Sequence, residues 1–230
     1  MSYLWHTFLY DPILNALIAL YNGPAGQNLG LALIELTVVV RVFLLPFTGL
    51  ALRARRRYEA LWPEVQALEQ SHKNDPVRRS EAIRQLLRSH HIRPWAKAFM
   101  FGLQFLVLII LYRVFVDAVR HNDFTGLYSW NEKPDFLDRN FLGFDLAAHS
   151  VIWAGVVGWL LYLDLWLEDR KSPAKITNRD VIYRVAFPSA SFLILYVLPS
   201  GKSVFVLTSI IFSLMIDGVI HIFRTKRQPN

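Results

Sequence analysis

The sequence contains no cysteine at all. Disulfide staples, thiol catalysis, cysteine-held metal or iron–sulfur centres and lipoprotein-type acylation are excluded with it. Methionine is scarce as well, with three in 230 residues. Lys and Arg are missing from the first forty residues, so the charged n-region of a cleavable signal peptide is not expected. Charged residues make up 19% of the chain, against about 25% in a soluble domain, and they collect in a few segments. Gly-x-Ser-x-Gly, His-Glu-x-x-His and a phosphate-binding loop are absent too, which makes an enzyme the least expected class.

Apolar length fills the space that these absences leave. The chain is 53% hydrophobic with a mean hydropathy of +0.29. Five runs approach the roughly 17–25 residues that a membrane-crossing helix needs: Leu29–Phe47, Ala98–Val116, Ala147–Trp166, Ile182–Leu198 and Val204–Ile222. The fourth carries Arg184 and Pro188 and is the weakest. Ahead of them, Phe8–Asn22 places Leu14, Leu17, Ile18 and Tyr21 on one helical face, too short to span. It reads as an amphipathic helix on the membrane surface.

The basic residues orient these spans. Segments 51–97, 168–184 and the tail after Ile222 hold nineteen Lys/Arg; segments 1–28, 120–145 and the link at Lys202 hold four. Arg41 and Arg113 lie inside spans. The positive-inside rule then sets the N-terminus outside and the C-terminus in the cytoplasm. The expected class is all-α and polytopic, with spans at 29–50, 98–118, 147–167, 182–199 and 204–222. Residues 1–28 form an outer N-terminal segment, 119–146 an outer loop and 200–203 an outer link. Residues 168–181 form a cytoplasmic loop and 223–230 a cytoplasmic tail. The net charge of +7 is thus orientation charge facing anionic lipid, and a specific nucleic-acid ligand is not needed to explain it.

Residues 51–97 are the only sizeable polar region and read as a cytoplasmic helical hairpin. Arg53–Ser71 carries Leu61, Val65 and Leu68 at helical spacing; "KNDP" turns the chain; Pro76–His90 carries Ile83, Leu86 and Leu87. A solvated linker of two spans would look the same. His90 and His91 point apart on a helix and have no carboxylate beside them, so no metal site is expected.

The ordered set "FLYDPILNALIALYN", "GLALIELTVVVRVFLLPFT", "LWPEVQALEQSHKNDP" with "EAIRQLLRSHHIRP", and then a span containing Gln104 resembles the YidC/Oxa1/Alb3 membrane protein insertases. "FLGFDLAAHSVIWAGVVGWLLYL" and "LPSGKSVFVLTSIIFSLMIDGVIHIF" resemble that family's third and last core spans. The resemblance implies a five-helix core in a bacterial-type cytoplasmic (inner) membrane, with a polar groove open to cytoplasm and lipid and sealed outward. It implies no cofactor. Its partners would be nascent membrane protein clients, with the Sec translocon and the ribosome as further candidates. The family's groove arginine maps onto Arg41, and its client-receiving hairpin onto residues 53–93. The sequence departs from the family in four places. The extra N-terminal span and large outer domain of Gram-negative members are missing. "RPWAKAFMFGLQFLVL" replaces a Gly-Cys-Leu-Pro-like entry, the groove is poor in methionine, and the basic tail is short.

Physical spacing supports a groove independently. Thr37, Arg41 and Thr48 fall on one line of the first span with Gly30. Ser209, Ser213, Asp217 and His221 follow at four-residue steps on the last span. Polar stripes in lipid-embedded helices face the bundle or a wet cavity. Gln104 and Tyr112 add a third, and Gly155 and Gly158 permit close helix approach. The candidate client-binding groove is therefore Arg41, Thr37, Thr48, Gln104, Ser209, Ser213 and Asp217. Arg41 could instead snorkel to the headgroups or pair with Asp217, and Glu35 stays unexplained. Two other functions fit parts of this pattern: an ion- or proton-coupled transporter relaying through Glu35, Arg41, Asp217 and His221, and a non-catalytic scaffold subunit of a membrane complex. The absence of an internal repeat weighs against the transporter.

Overall fold

The computed structural model describes residues 5–90, 95–171 and 178–225, less the side chains at 51–56, 59, 95–101, 104, 168–171, 178–180, 217 and 220–225. Helices dominate. A π-helical turn, His6–Tyr10, runs into α1 (Asp11–Asn22). There follow α2 (Leu29–Ala60), α3 (Trp62–Ser71), α4 (Pro76–Ser89) and α5 (Trp95–Arg120). A two-residue ribbon, β1 (Asn140–Phe141) against β2 (Phe144–Asp145), precedes α6 (Val151–Lys171), α7 (Asn178–Val197) and α8 (Ser200–Thr225).

Among the described residues one helical stretch, Leu29–Leu50, is long and apolar enough to cross a membrane. Val151–Leu167, Val181–Val197 and Ser200–Ile216 are shorter apolar stretches. Helix α2 does not stop where its apolar run stops. It carries its helical ladder through Arg53–Arg57 to Ala60, because arginine is a good helix former and nothing breaks the backbone there. The break comes at Leu61, where Pro63 occupies the first turn of α3. The first hairpin helix is accordingly Trp62–Ser71, shorter than the Arg53–Ser71 the sequence suggested.

The chain forms two compact units, residues 42–109 and the remainder. In the 42–109 unit, α3 and α4 close on a small apolar cluster, Leu61 and Leu87 with Tyr58 and Ile83 packed against it. Asp75 caps α4, its Oδ1 accepting from the backbone N–H of Val77 and Arg78 at 3.1 and 3.0 Å. His90 lies just past α4, while His91 and the "IRP" that follows lie outside the described residues.

The larger unit has two parts. Helices α6, α7 and α8 pack around Ala154, Val157 and Leu195, with Leu161, Phe192, Val206, Leu207 and Ile210. Residues 121–150 form a cap stitched to α1. Asn15 is its hub: its Nδ2 donates to the carbonyls of Asp11 and Gly126, and its Oδ1 accepts from the Tyr128 N–H at 2.7 Å. Asn131 returns a bond to the Asn15 carbonyl, and Asn22 donates to the Glu132 carbonyl. Leu14, Leu17, Ile18 and Tyr21, the face expected to rest on lipid, are enclosed by the chain itself. The Tyr21 hydroxyl donates to the Phe136 carbonyl and accepts from the Asp138 N–H.

The cap also ties down the starts of two helices, α2 and α8. The Leu29 N–H at the start of α2 donates to the Asp138 carbonyl. The Ser200 and Gly201 N–H groups at the start of α8 donate to the carbonyls of Ala148 and Leu146. At Gly30 there is no room for a side chain, since a Cβ would run into the ring of Phe141. Gly201 is equally crowded by Phe115 of α5, whose ring carbons would lie 2.7 Å from a Cβ.

Candidate functional site: the arginine floor between α2 and α8

Burial in the larger unit changes along the helices. At the capped end α2 is sealed, with Leu29, Ala32, Leu33 and Leu36 buried. Helix α5 is sealed there by Ile110, Leu111, Val114, Phe115 and Ala118, and α8 by Ser203, Val204 and Phe205. Farther along α8, Ile211, Ser213, Met215 and Val219 are exposed. Arg41 and Ser209 sit where the sealed part gives out.

There the two helices exchange a polar contact. The Arg41 Nε donates to the Ser209 hydroxyl at 3.2 Å. Ser209 is 4% exposed and Arg41 is half-buried, so this bond is largely shielded from competing solvent. It uses one edge of the guanidinium and leaves the two terminal nitrogens able to donate elsewhere. No salt bridge to Arg41 is present among the described residues.

The sequence left open a pairing of Arg41 with Asp217. Side chains on a helix lean toward its N-terminus, so Arg41 reaches back up α2. That direction brings it to Ser209, two turns nearer the capped end than Asp217. The side chain of Asp217 lies outside the described residues, as does that of Gln104. Ser213 is exposed one turn beyond Ser209.

The threonines are satisfied locally. Buried Thr37 donates its hydroxyl to the Leu33 carbonyl at 2.6 Å, one turn back along α2. Thr48 does the same to Leu44 at 3.1 Å and belongs to the 42–109 unit. Such back-bonding lets a hydroxyl sit in an apolar helix without an external partner. Gly30, on the same line, packs against Phe141 at the cap. Tyr112 of α5 is also at the capped end, with the Lys202 ammonium 3.1 Å from its ring centroid. Of the stripe read from the sequence, the structure brings Arg41 and Ser209 together. Glu35 has its Oε2 buried with no hydrogen-bond partner among the described residues. Ser203, whose buried hydroxyl has no hydrogen-bond partner among the described residues, was not singled out by sequence, because it lies off the Ser209 stripe.

A basic side chain and a hydroxyl are thus held together between α2 and α8, with exposed residues farther along α8. Known proteins with this arrangement of segments were found by comparison. The profile of the 60Kd inner membrane protein family matches residues 20–227. The chain belongs to this family. Its curated relatives in the family are named membrane protein insertase YidC. That of Actinobacillus pleuropneumoniae serotype 3 is 25% identical over 224 residues, covering 96% of this chain and 38% of the relative. That of Syntrophobacter fumaroxidans is 24% identical over 217 residues, covering 93% and 38%. The Jannaschia relative is 27% identical over 180 residues, covering 74% and 28%. The chain thus spans well under half the length of these relatives. The fold is similar to the crystal structure of an active YidC insertase with its first transmembrane domain resolved. The TM-score is 0.64 at 22% identity, over 90% of this chain and 46% of that one. The mostly helical fold is therefore shared over 90% of this chain, well beyond the residues that carry the strongest motifs.

Proposed function

We propose that this protein is a membrane protein insertase that receives short polar segments of client proteins in a groove floored by Arg41. Its relatives' name and its family membership support the activity class. The observation that carries the site is the Arg41–Ser209 contact at the point where burial gives out along α8. A guanidinium there costs several kcal/mol to keep in hydrocarbon unless it is partnered, so its retention calls for a role. In low dielectric its terminal N–H groups attract a carboxylate far more strongly than in water. An acidic residue in a client's tail would stop at Arg41 while the flanking apolar segment moves sideways into lipid. No bond is made or broken, and no cofactor is required.

The chain would cross the membrane five times, through α2, α5, α6, α7 and α8, with the capped end outside. The α3–α4 hairpin and the basic stretches would then face the cytoplasm and its anionic lipids. Clients would arrive there as nascent chains, from the ribosome directly or by way of the Sec translocon.

Photocrosslinking tests the reading. A photoreactive amino acid at position 41 or 213 should crosslink to a small membrane protein stalled during its synthesis. Crosslinking from Leu14 or Leu17, buried beneath the cap, should be absent. Equal yields from both sets, or none from the groove set, would remove the groove as the client site.

A further inference from the structure

We infer that the tip of the β1–β2 hairpin is a membrane anchor, with Leu142 seated in the phospholipid interface at the capped end of the helices. Leu142 and Gly143 form a two-residue turn between Phe141 and Phe144, and both have positive φ, 51° and 83°. Turns with two left-handed residues favour Asn-Gly or Asp-Gly, because a larger side chain is strained there. Leucine fits this position poorly, and no packing within the protein offsets the strain, since Leu142 is 72% exposed. A strained, exposed leucine at a hairpin tip needs a partner outside the chain.

The depth of the hairpin identifies that partner. Phe141 packs on Gly30, the second residue of α2. It also stacks on Trp153, the third residue of α6, at 5.9 Å between ring centroids, and Phe144 meets the same indole edge-on. The ribbon therefore lies level with the first turns of α2 and α6. In a bilayer that those helices cross, this level is the boundary between headgroups and acyl chains. The surface beside it is already apolar: Val151 and Ile152, which open α6, are 57% and 60% exposed. Arg139 and Asp145, 3.9 Å apart, keep the charge at the base of the hairpin and leave the tip uncharged. Aromatic and aliphatic tips on rigid turns suit this layer, where one side is wet and the other hydrocarbon.

The inference needs α2 and α6 to cross a membrane, and it is independent of what the groove carries. The lack of native cysteine allows a clean test. Leu142→Cys bears a nitroxide, in full-length protein reconstituted into phosphatidylethanolamine–phosphatidylglycerol vesicles. Val151→Cys serves as the lipid reference and Glu132→Cys as the water reference. The label at 142 should relax more with oxygen than with a water-soluble nickel chelate, as at 151 and opposite to 132. Chelate access equal to that at 132 would overturn the anchor, as would shielding from both reagents, which would mean a protein partner. The unsubstituted protein gives a second reading: a lipid-phase carbene reagent should label the peptide containing Leu142, and an unlabelled peptide would equally overturn it.

Discussion

Arg41 is useful only if its charge is both held and left available. The bond from Nε to Ser209 would do the holding, and the two terminal nitrogens, with no salt bridge among the described residues, would supply the availability. Arg41→Ala should abolish the advantage of clients with acidic tails and leave neutral-tailed clients unaffected. Arg41→Lys should keep part of it, since an ammonium is a point charge without the guanidinium's planar fork. Ser209→Ala should weaken insertion of acidic-tailed clients about fivefold, the equivalent of one hydrogen bond of ~1 kcal/mol. Ser209→Thr should restore it. In an Arg41→Lys background Ser209→Ala should do little more, because the Nε–H is already gone; measuring the unsubstituted protein, the Arg41→Lys and Ser209→Ala variants and their double in one insertion assay checks this. The sequence made Arg41 legible as a polar position on a stripe. It did not single out Ser209, because the four-residue stripe offers Ser209, Ser213 and Asp217 alike, and which of them meets Arg41 depends on how the two helices pack.

The same contrast holds for whole elements. The α3–α4 hairpin was readable from "KNDP" and from apolar spacing, both of which are local signals. The end of α2 was not, since Arg53–Arg57 read as the start of the hairpin's first helix and yet continue α2. The cap was hidden for another reason. Its residues have no periodicity, and its bonds join Asn15 to residues more than a hundred positions away. Asn15→Leu keeps the size but leaves the Tyr128 N–H and the Gly126 carbonyl unpaired. It should cost about 2–4 kcal/mol, a fall in thermal midpoint of several degrees in detergent. Asp75→Ala removes the α4 cap and should cost about 1 kcal/mol. Its effect should stay local, seen as faster hydrogen exchange in the first turn of α4 with the cap's exchange unchanged.

At the scale of the molecule, the proposed function needs a sealed end, where the cap buries the starts of α2 and α8, and an open end beyond Ser209. Tyr10 reports on the sealed end. Its hydroxyl donates to Asp117 at 3.1 Å, and burial first, then the charge of Asp117, pushes its pKa above the ordinary value of 10.0. The folded state thus favours the neutral phenol, so its contribution is complete below about pH 10 and is lost as pH rises from there through the raised value. Thermal melts between pH 9 and 11, an interval set around the phenol's normal range, should show a loss of stability that Tyr10→Phe lacks. The open end carries the central claim, that Arg41 receives client carboxylates. Its most direct measurement is insertion into proteoliposomes of two clients that differ only in an acidic or a neutral translocated tail. The protein should favour the acidic tail, and Arg41→Ala should bring the ratio to one while the neutral client inserts as before. An unchanged ratio in Arg41→Ala would contradict the account.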